Sequence, residues 1–179
     1  MALTSSLIDT PIGKMIAVCS SKGICILDFP YRKMINTIRG RVATATGEEI
    51  EEGTHPFITE LEVQLQEYFT GARKEFDVPL DIVGSPFQLR VVEGLQQIPF
   101  EETRSYKQQS IFLGDEKAIR AVARANGENG LAIIIPCHRV IGENGSLTGY
   151  AGGLRAKQWL LDHERKHAGK SLQAELFAV

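Results

Sequence analysis

The sequence predicts a two-lobed α/β protein, with an N-terminal α/β lobe followed by a mainly helical C-terminal lobe that contains a helix-turn-helix. Strand-like apolar runs around a glycine turn lie near the N-terminus, whereas helix-start and helix-stop signals recur after residue 85. The chain has 179 residues and is 43% hydrophobic, which is sufficient for a sizeable core. We expect the lobes to comprise residues 1–84 and 85–179.

The first lobe is predicted to contain a β-hairpin and a helix. Residues 10–29 form the hairpin, because two apolar runs flank a short turn that contains Gly23. The acidic segment 47–53 is expected to be a surface connection. Residues 55–70 then predict an amphipathic helix, since a large apolar side chain recurs every four residues, and Gly71 ends it.

The second lobe is predicted to begin with a helix after residue 85. Ser85 is suited to the N-cap, Pro86 to the first helical position, and Pro99 stops the helix. One apolar stripe on this helix is expected to be buried. It consists of Phe87, Val91 and Leu95.

Two further predicted helices indicate a helix-turn-helix motif. Ser105 can cap a short helix that ends at Phe112, and Gly114 with Asp115 turns the chain into a second helix over residues 116–126. A tight glycine turn between two short helices is typical of this motif. Helical hairpins are common, however, and most of them bind no DNA.

The second of these helices carries a basic stripe. Lys117, Arg120 and Arg124 are spaced at i, i+3 and i+7, which places them on one helix face. The stripe could be an ordinary solvated face, or it could contact a polyanion. Small side chains on the remaining surface allow a partner to approach closely, and they are Ala118, Ala121, Val122 and Ala125.

The net charge of −2 conceals an asymmetry between the lobes. Residues 1–84 carry 8 Lys and Arg against 12 Asp and Glu, whereas residues 85–179 carry 12 against 10. Nucleic-acid binding usually leaves a basic footprint. The footprint here is weak but falls in the second lobe, so affinity for phosphate would depend on a few placed cations.

Composition also limits the cellular compartments in which this protein is expected to occur. No stretch approaches the ~20 apolar residues of a membrane span, and the N-terminus lacks a basic region before an apolar one. Three cysteines do not suggest a disulfide framework. We expect a soluble, intracellular protein without membrane contact, cytoplasmic in a prokaryote or nuclear in a eukaryote.

A single cysteine motif carries the chemistry. Cys137 leaves the apolar run 133–135 with His138 beside it, and Glu164 follows downstream. The thiolate is the reactive form of cysteine, and its formation needs a base and a group that orients the base. The sequence predicts that His138 and Glu164 fill these positions and favour a thiolate at neutral pH.

The motif Pro136-Cys137-His138-Arg139-Val140 resembles the active-site signature of the methylated-DNA–protein-cysteine methyltransferases, which are 6-O-alkylguanine-DNA alkyltransferases. The resemblance covers residues 85–164 in detail and the first 80 residues loosely. It implies a ribonuclease-H-like first lobe. Further matching segments are Ser85-Pro86-Phe87-Gln88, Ile98-Pro99, Ser105-Tyr106, Arg120-Ala121-Val122, residues 145–154, Lys157-Gln158-Trp159-Leu160-Leu161 and His163-Glu164.

The resemblance implies a direct repair reaction. Cys137 would take a methyl or other alkyl group irreversibly from the 6-oxygen of guanine, and also from the 4-oxygen of thymine, in double-stranded DNA. His138 would take the thiol proton through a water, and Glu164 would hold the imidazole. Tyr106 would help to rotate the nucleotide and donate a proton to the leaving purine. The protein would be consumed by one turnover, act as a monomer, and need no cofactor or metal.

The resemblance also assigns the DNA contacts. The recognition helix would lie in the minor groove, where Arg120 would occupy the gap left by the flipped base. Lys117 and Arg124 would bind DNA beside it. Small side chains such as Ala121 and Ala125 would face the groove.

The substrate pocket and its supports follow from the same resemblance. Val140, Tyr150, Ala151 and Gly152 would border the base, with glycine allowing close backbone approach. Two further residues have structural roles: Asn129 would tie the helix-turn-helix to the active-site loop, and Arg139 would anchor that loop.

Three alternatives stay open. A non-catalytic helix-turn-helix damage sensor or regulator would use the same DNA face but lacks the nucleophilic cysteine. A Cys-His-Glu hydrolase would use the same triad without Tyr106 or Arg120. Cys19 and Cys25 could bind structural zinc with His55, although zinc needs four ligands and buried inert thiols are the simpler interpretation.

Overall fold

A computed structural model describes residues 2–168, and the rest of the predicted second lobe, residues 169–179, lies outside the described residues. An N-terminal sheet lobe precedes a helical part, so the predicted fold class is confirmed. The strands are β1 (Leu3–Thr10), β2 (Gly13–Cys19), β3 (Ile24–Asp28), β4 (Ile50–Glu52), β5 (Arg104–Ser105) and β6 (Val140–Ile141). The helices are α1 (Ile35–Thr46), α2 (Pro56–Thr70), α3 (Pro86–Gln96), α4 (Tyr106–Phe112), α5 (Ile119–Gly127) and α6 (Leu154–His167).

The first lobe contains a four-stranded sheet in the order β3-β2-β1-β4. The predicted hairpin is β2 with β3, which pair antiparallel, while β1 pairs antiparallel with β2 and parallel with β4. The sequence did not predict β1, which is rich in Ser and Thr, or α1, of which only Ile38 and Val42 are buried. The expectation for the acidic segment was wrong in part, because its residues Ile50–Glu52 form β4 rather than a simple connection.

Both faces of this sheet are covered. Side chains alternate along a strand, so Ile16 and Val18 of β2 lie in one core cluster together with Ile38 of α1. Met15 and Ala17 lie in the other cluster, to which α2 contributes its buried side chains. The sheet is therefore buried between α1 and α2, and its ends are available to position other segments.

The predicted helix starts of the second lobe are confirmed. Ser85 caps α3 and Ser105 caps α4, and each forms a reciprocal capping box with a glutamine three residues later, Gln88 or Gln108. The predicted helix 116–126 instead begins as a 3₁₀ turn and becomes α-helical at Ile119. Within residues 2–168, no helix has the length and apolar character needed to cross a lipid bilayer.

The two lobes share backbone hydrogen bonds at the edge of the sheet. The Leu27 amide of β3 donates to the Gly130 carbonyl, and the Ala132 amide donates to the Leu27 carbonyl, both at 2.8 Å. This pairing fixes the buried segment that leads to Cys137 against the end of β3. The domain boundary near Gly84 stays a prediction.

Candidate active site

Cys137 begins a 3₁₀ turn, Cys137–Arg139, at the end of a buried apolar run. Its side chain is 4% exposed, and the Asn129 Nδ2 amide donates to its sulfur at 3.2 Å. Ile133 in the preceding run has a φ of +72°, a left-handed conformation that strains a β-branched residue. The surrounding packing therefore holds the segment before Cys137 in this strained conformation.

His138 and Glu164 form a fully buried pair. The histidine Nε2 lies 2.7 Å from Glu164 Oε1. Burial opposes the charge of Glu164, but the hydrogen bonds and positive charges of His138 and Arg139 outweigh it and lower the pKa of this carboxyl. An ionised carboxylate only accepts, so Nε2 carries the proton and Nδ1 is left as an acceptor.

The histidine is neutral in the resting protein. Burial lowers the pKa of His138, although Glu164 opposes this shift. Its Nδ1 is buried and has no hydrogen-bond partner among the described residues. This nitrogen is therefore free to accept a proton.

Besides His138, three groups hold the Glu164 carboxylate. The Arg139 guanidinium donates to it through Nη2 at 2.9 Å and Nε at 3.0 Å, the Glu101 amide donates at 3.2 Å, and the Tyr68 hydroxyl donates at 2.9 Å. Arg139 also donates to the Ile98 carbonyl at 2.7 Å. Tyr68 belongs to α2 of the first lobe, and its role was not predictable from the sequence because its spacing fits an ordinary core position.

Cys137 is a protonated thiol in the resting protein. Burial raises the pKa of the Cys137 thiol, and the Asn129 hydrogen bond and the charges of Arg32 and Lys157 offset this only in part. The thiol therefore keeps its proton at neutral pH until a base takes it. The proton has to leave during the reaction.

A cavity of about 350 Å³ opens beside Cys137. Tyr150 and Ala151 line it, as expected for pocket residues, and Tyr106 lines it too. Other residues were not predicted to border the pocket: Arg32, Lys33 and Met34 from the first lobe, Ala123, Asn126 and Gly127 from α5, Asn129 from the turn after α5, and Gly149.

Two predicted pocket residues lie elsewhere. The Val140 side chain is fully buried in the core and does not line the cavity. Gly152 is also absent from the lining, and a Cβ at this position would lie 2.7 Å from the Phe29 ring. The Phe29 ring therefore leaves no room for a side chain at position 152.

Two residues in the cavity wall have buried polar atoms without a hydrogen-bond partner among the described residues. They are the hydroxyl of Tyr150 and Oδ1 of Asn126. Asn126 Nδ2 donates to the Cys137 carbonyl at 3.4 Å, which orients the amide. A bound polar molecule could satisfy such atoms.

A buried lysine fixes the loop above the cavity. Lys157 is fully buried, and its Nζ donates to the carbonyls of Val140 at 2.6 Å, Thr148 at 3.0 Å and Gly149 at 3.3 Å. The Tyr106 hydroxyl also donates to the Thr148 carbonyl at 3.3 Å. Lys157 was missed as a support because a lysine on a helix is ordinarily exposed.

The predicted DNA face is exposed. Arg120, Ala121 and Arg124 lie on α5 with exposed side chains, while Lys117 is exposed in the 3₁₀ turn before it. Arg124 pairs with a glutamate at i+4 at 3.0 Å. The expectation for Ala125 was wrong, because it is 8% exposed and packs in the core.

The first-lobe cysteines are buried and reduced. Burial raises the pKa of Cys19 to about 11, and it also raises the pKa of Cys25. Within residues 2–168, no group of three His, Cys, Asp or Glu side chains could hold a metal ion.

Two family models match the chain. The ribonuclease-like domain of 6-O-methylguanine DNA methyltransferase matches residues 3–82, and the DNA binding domain of that enzyme matches residues 86–166. The first of these matches confirms the predicted ribonuclease-like character of the N-terminal lobe.

Individual relatives agree with the family models. The chain is 40% identical over 158 residues to the constitutive methylated-DNA–protein-cysteine methyltransferase of Bacillus subtilis, covering 88% of this chain and 92% of that protein. It is 55% identical over 109 residues to the methylated-DNA–protein-cysteine methyltransferase of Mycolicibacterium paratuberculosis, covering 61% of this chain and 66% of that protein. The crystal structure of Mycobacterium tuberculosis OGT in complex with DNA superposes with a TM-score of 0.79 at 38% identity, covering 94% of this chain and 97% of that one.

Proposed function

Because this chain belongs to the methylated-DNA–protein-cysteine methyltransferase family, we propose that Cys137 is the residue that accepts the alkyl group. The family activity is direct DNA repair by alkyl transfer, and DNA is the partner. The observation that carries the assignment of Cys137 is its position: it is buried, it lines the cavity, and it immediately precedes His138, which pairs with Glu164.

The proposed reaction moves one proton and one alkyl group. His138 Nδ1 takes the thiol proton through a water, while Glu164 stabilises the imidazolium that forms. The Cys137 sulfur then forms a bond to the alkyl carbon as the bond from that carbon to the 6-oxygen of guanine breaks. Tyr106 at the cavity wall donates a proton to the leaving purine anion and regains one from the His138 imidazolium through solvent, so in net one proton passes from the thiol to the purine. The product is a thioether and an unmodified guanine, so one molecule repairs one lesion.

The cavity is proposed to receive a flipped guanine. The 6-oxygen of guanine lies on the major-groove edge of the base, whereas Cys137 is buried, so the base has to leave the duplex to reach the sulfur, at a cost of a few kcal/mol. Tyr150 and Asn126 hold polar atoms that the purine could satisfy. Arg120 would fill the gap in the stack, with Lys117 and Arg124 on the phosphates. We propose that the protein acts as a monomer and that the 4-oxygen adduct of thymine is a further substrate.

One experiment tests the assignment against its rivals. The protein is incubated with a duplex oligonucleotide that contains 6-O-methylguanine, and its mass is then measured and mapped by peptide. We expect one methyl group per protein, located on Cys137. A damage sensor would bind the duplex with its mass unchanged, and a hydrolase would neither bind nor gain the group. A methyl group on another residue would contradict the assignment of Cys137.

Replacement of Arg120 by alanine is expected to separate base flipping from chemistry. Arg120 is exposed on α5 and does not line the cavity that holds Cys137. The variant should repair duplex DNA about 10²-fold more slowly, because a few kcal/mol of flipping cost would be uncompensated. Its reaction with free 6-O-benzylguanine should change little. Equal losses in the two rate constants would mean that Arg120 serves chemistry or folding instead.

Methylation of Cys137 is expected to destabilise the protein. The sulfur accepts a hydrogen bond from Asn129 at 3.2 Å, and an added methyl group must either displace this amide or enter the cavity. Overpacking costs about 1–3 kcal/mol. For a chain of this size, that corresponds to a fall in melting temperature of roughly 2–12 °C. Matched thermal melts of free and fully methylated protein measure it, and an unchanged or higher midpoint would show that the cavity accommodates the group.

A further inference from the structure

A buried ion pair of the first lobe places one of its two residues in the wall of the active-site cavity. Arg32 Nη1 is 2.6 Å from Asp28 Oδ2, and their side chains are 7% and 0% exposed. Asp28 ends β3, and Arg32 follows it in the turn before α1. Of these two, only Arg32 lines the cavity that holds Cys137. Neither the sequence motif nor the proposed reaction uses this pair.

The Arg32 guanidinium crosses from the first lobe to the second. Nη1 donates to the Asn129 carbonyl at 2.8 Å, and Nη2 donates to the Gly127 carbonyl. Gly127 is the last residue of α5, so the guanidinium binds the C-terminal end of the proposed recognition helix. A cation at this end also interacts favourably with the helix dipole.

Asn129 connects this contact to the nucleophile. Its Nδ2 donates to the Cys137 sulfur at 3.2 Å and to the Ile135 carbonyl at 3.1 Å, while its Oδ1 accepts from the Leu131 amide at 3.0 Å. A displacement of the Asn129 backbone would therefore move the amide that holds the sulfur.

We propose that Arg32 is a positioning residue for alkyl transfer, which fixes Asn129 against Cys137 and is itself oriented by Asp28. The inference rests on the proposed role of Cys137 as acceptor. The first lobe thereby supplies part of the active site. The forked geometry of the guanidinium is what allows Arg32 to position Asn129. One planar group bonds a carboxylate and two carbonyls in different directions, which an ammonium of a similar charge does with less precision.

Arg32 also acts on the charge of the sulfur. Its positive charge favours the thiolate of Cys137, and Asp28 partly opposes it. The charged and titratable groups near the sulfur come from both lobes and from the loop above the cavity. They are Asp28, Arg32, His138, Tyr150 and Lys157.

The test compares Arg32→Met, Arg32→Lys and a matched control, Arg41→Met. Arg41 is another first-lobe arginine, and its Nη2 donates to the Glu128 carbonyl in the same turn at 3.2 Å, but it does not line the cavity. The rate constant at saturating 6-O-benzylguanine, the concentration at half-saturation and the pH profile are measured for each variant. Thermal melts confirm that each protein is folded under the assay conditions.

We expect Arg32→Met to lower the saturating rate constant at neutral pH at least about tenfold and to move the apparent pKa of the rate upward by about one unit. Arg32→Lys should have the pH profile of the wild-type protein but a rate constant several-fold below it, because lysine restores the positive charge without the forked hydrogen bonds of the guanidinium. Arg41→Met should change neither the rate constant nor the profile.

Three outcomes would overturn the inference: an Arg32→Met that matches Arg41→Met in rate and profile, a loss confined to the half-saturating concentration, or full recovery of the rate constant in Arg32→Lys. If Arg32→Met does not fold, the Arg32→Lys result decides the question alone. A wild-type protein that takes no alkyl group would instead contradict the role of Cys137.

Discussion

Replacement of Cys137 by serine is expected to abolish alkyl transfer while leaving DNA binding intact. Removal of a nucleophile from an active site costs on the order of 10⁶-fold in rate. A serine hydroxyl is a much weaker nucleophile than a thiolate, and His138 is the one base proposed to remove its proton. Asn129 can still donate to the serine oxygen at this position, so the fold should survive. Methyl transfer by mass spectrometry and duplex affinity by fluorescence anisotropy measure the two properties.

A second buried cysteine supplies the control for this variant. Cys19 is 1% exposed and lies in β2, outside the cavity of Cys137. Cys19→Ala should therefore retain transfer of one methyl group per molecule. Stoichiometric repair by Cys137→Ser, or its loss in a folded Cys19→Ala, would place the acceptor elsewhere.

Replacement of Glu164 by glutamine is expected to have the largest effect on stability. The neutral amide would leave the buried Arg139 guanidinium without its counter-charge, and the loss of one partner of a buried pair costs about 3–5 kcal/mol. For a chain of this length, this is a fall in melting temperature of roughly 6–20 °C. The orientation of His138 would also be lost, so transfer should slow by on the order of 10²-fold or more.

The acid dependence of stability gives an independent readout. The folded-state pKa of Glu164 is depressed, so its stabilising contribution is complete above the unfolded value of about 4.3 and is lost as the pH falls toward the folded value. Glu164→Gln should therefore flatten the fall in stability below pH 4.3.

Asp162 on the same helix provides the control. It is exposed, and it pairs at the surface with Arg165 at 3.3 Å, an interaction that contributes about 0–1 kcal/mol. Asp162→Asn should therefore leave the melting temperature and the transfer rate nearly unchanged. A Glu164→Gln protein that behaves like Asp162→Asn would show that the carboxylate is not needed at the buried site.

Some elements could be predicted because their signals are local. The caps of α3 and α4 depend on a serine and a glutamine three residues later, and the β2–β3 hairpin depends on apolar runs around a glycine. Strand β1 and helix α1 lack such signals, since one is rich in hydroxyl side chains and the other buries only two residues. Their structure comes from pairing and packing with segments distant in sequence.

The sequence by itself determined the fold class, the family and the set of chemical groups around Cys137, because these are written in short motifs with fixed spacing. Only the tertiary structure decided which groups meet. It buried Cys137 as a protonated thiol, placed Tyr68 on Glu164, and brought Arg32 to Asn129 across 97 positions of the chain. It also removed Val140 and Gly152 from the cavity wall. Burial and long-range hydrogen bonding set these properties, and neither is encoded in the spacing of neighbouring residues.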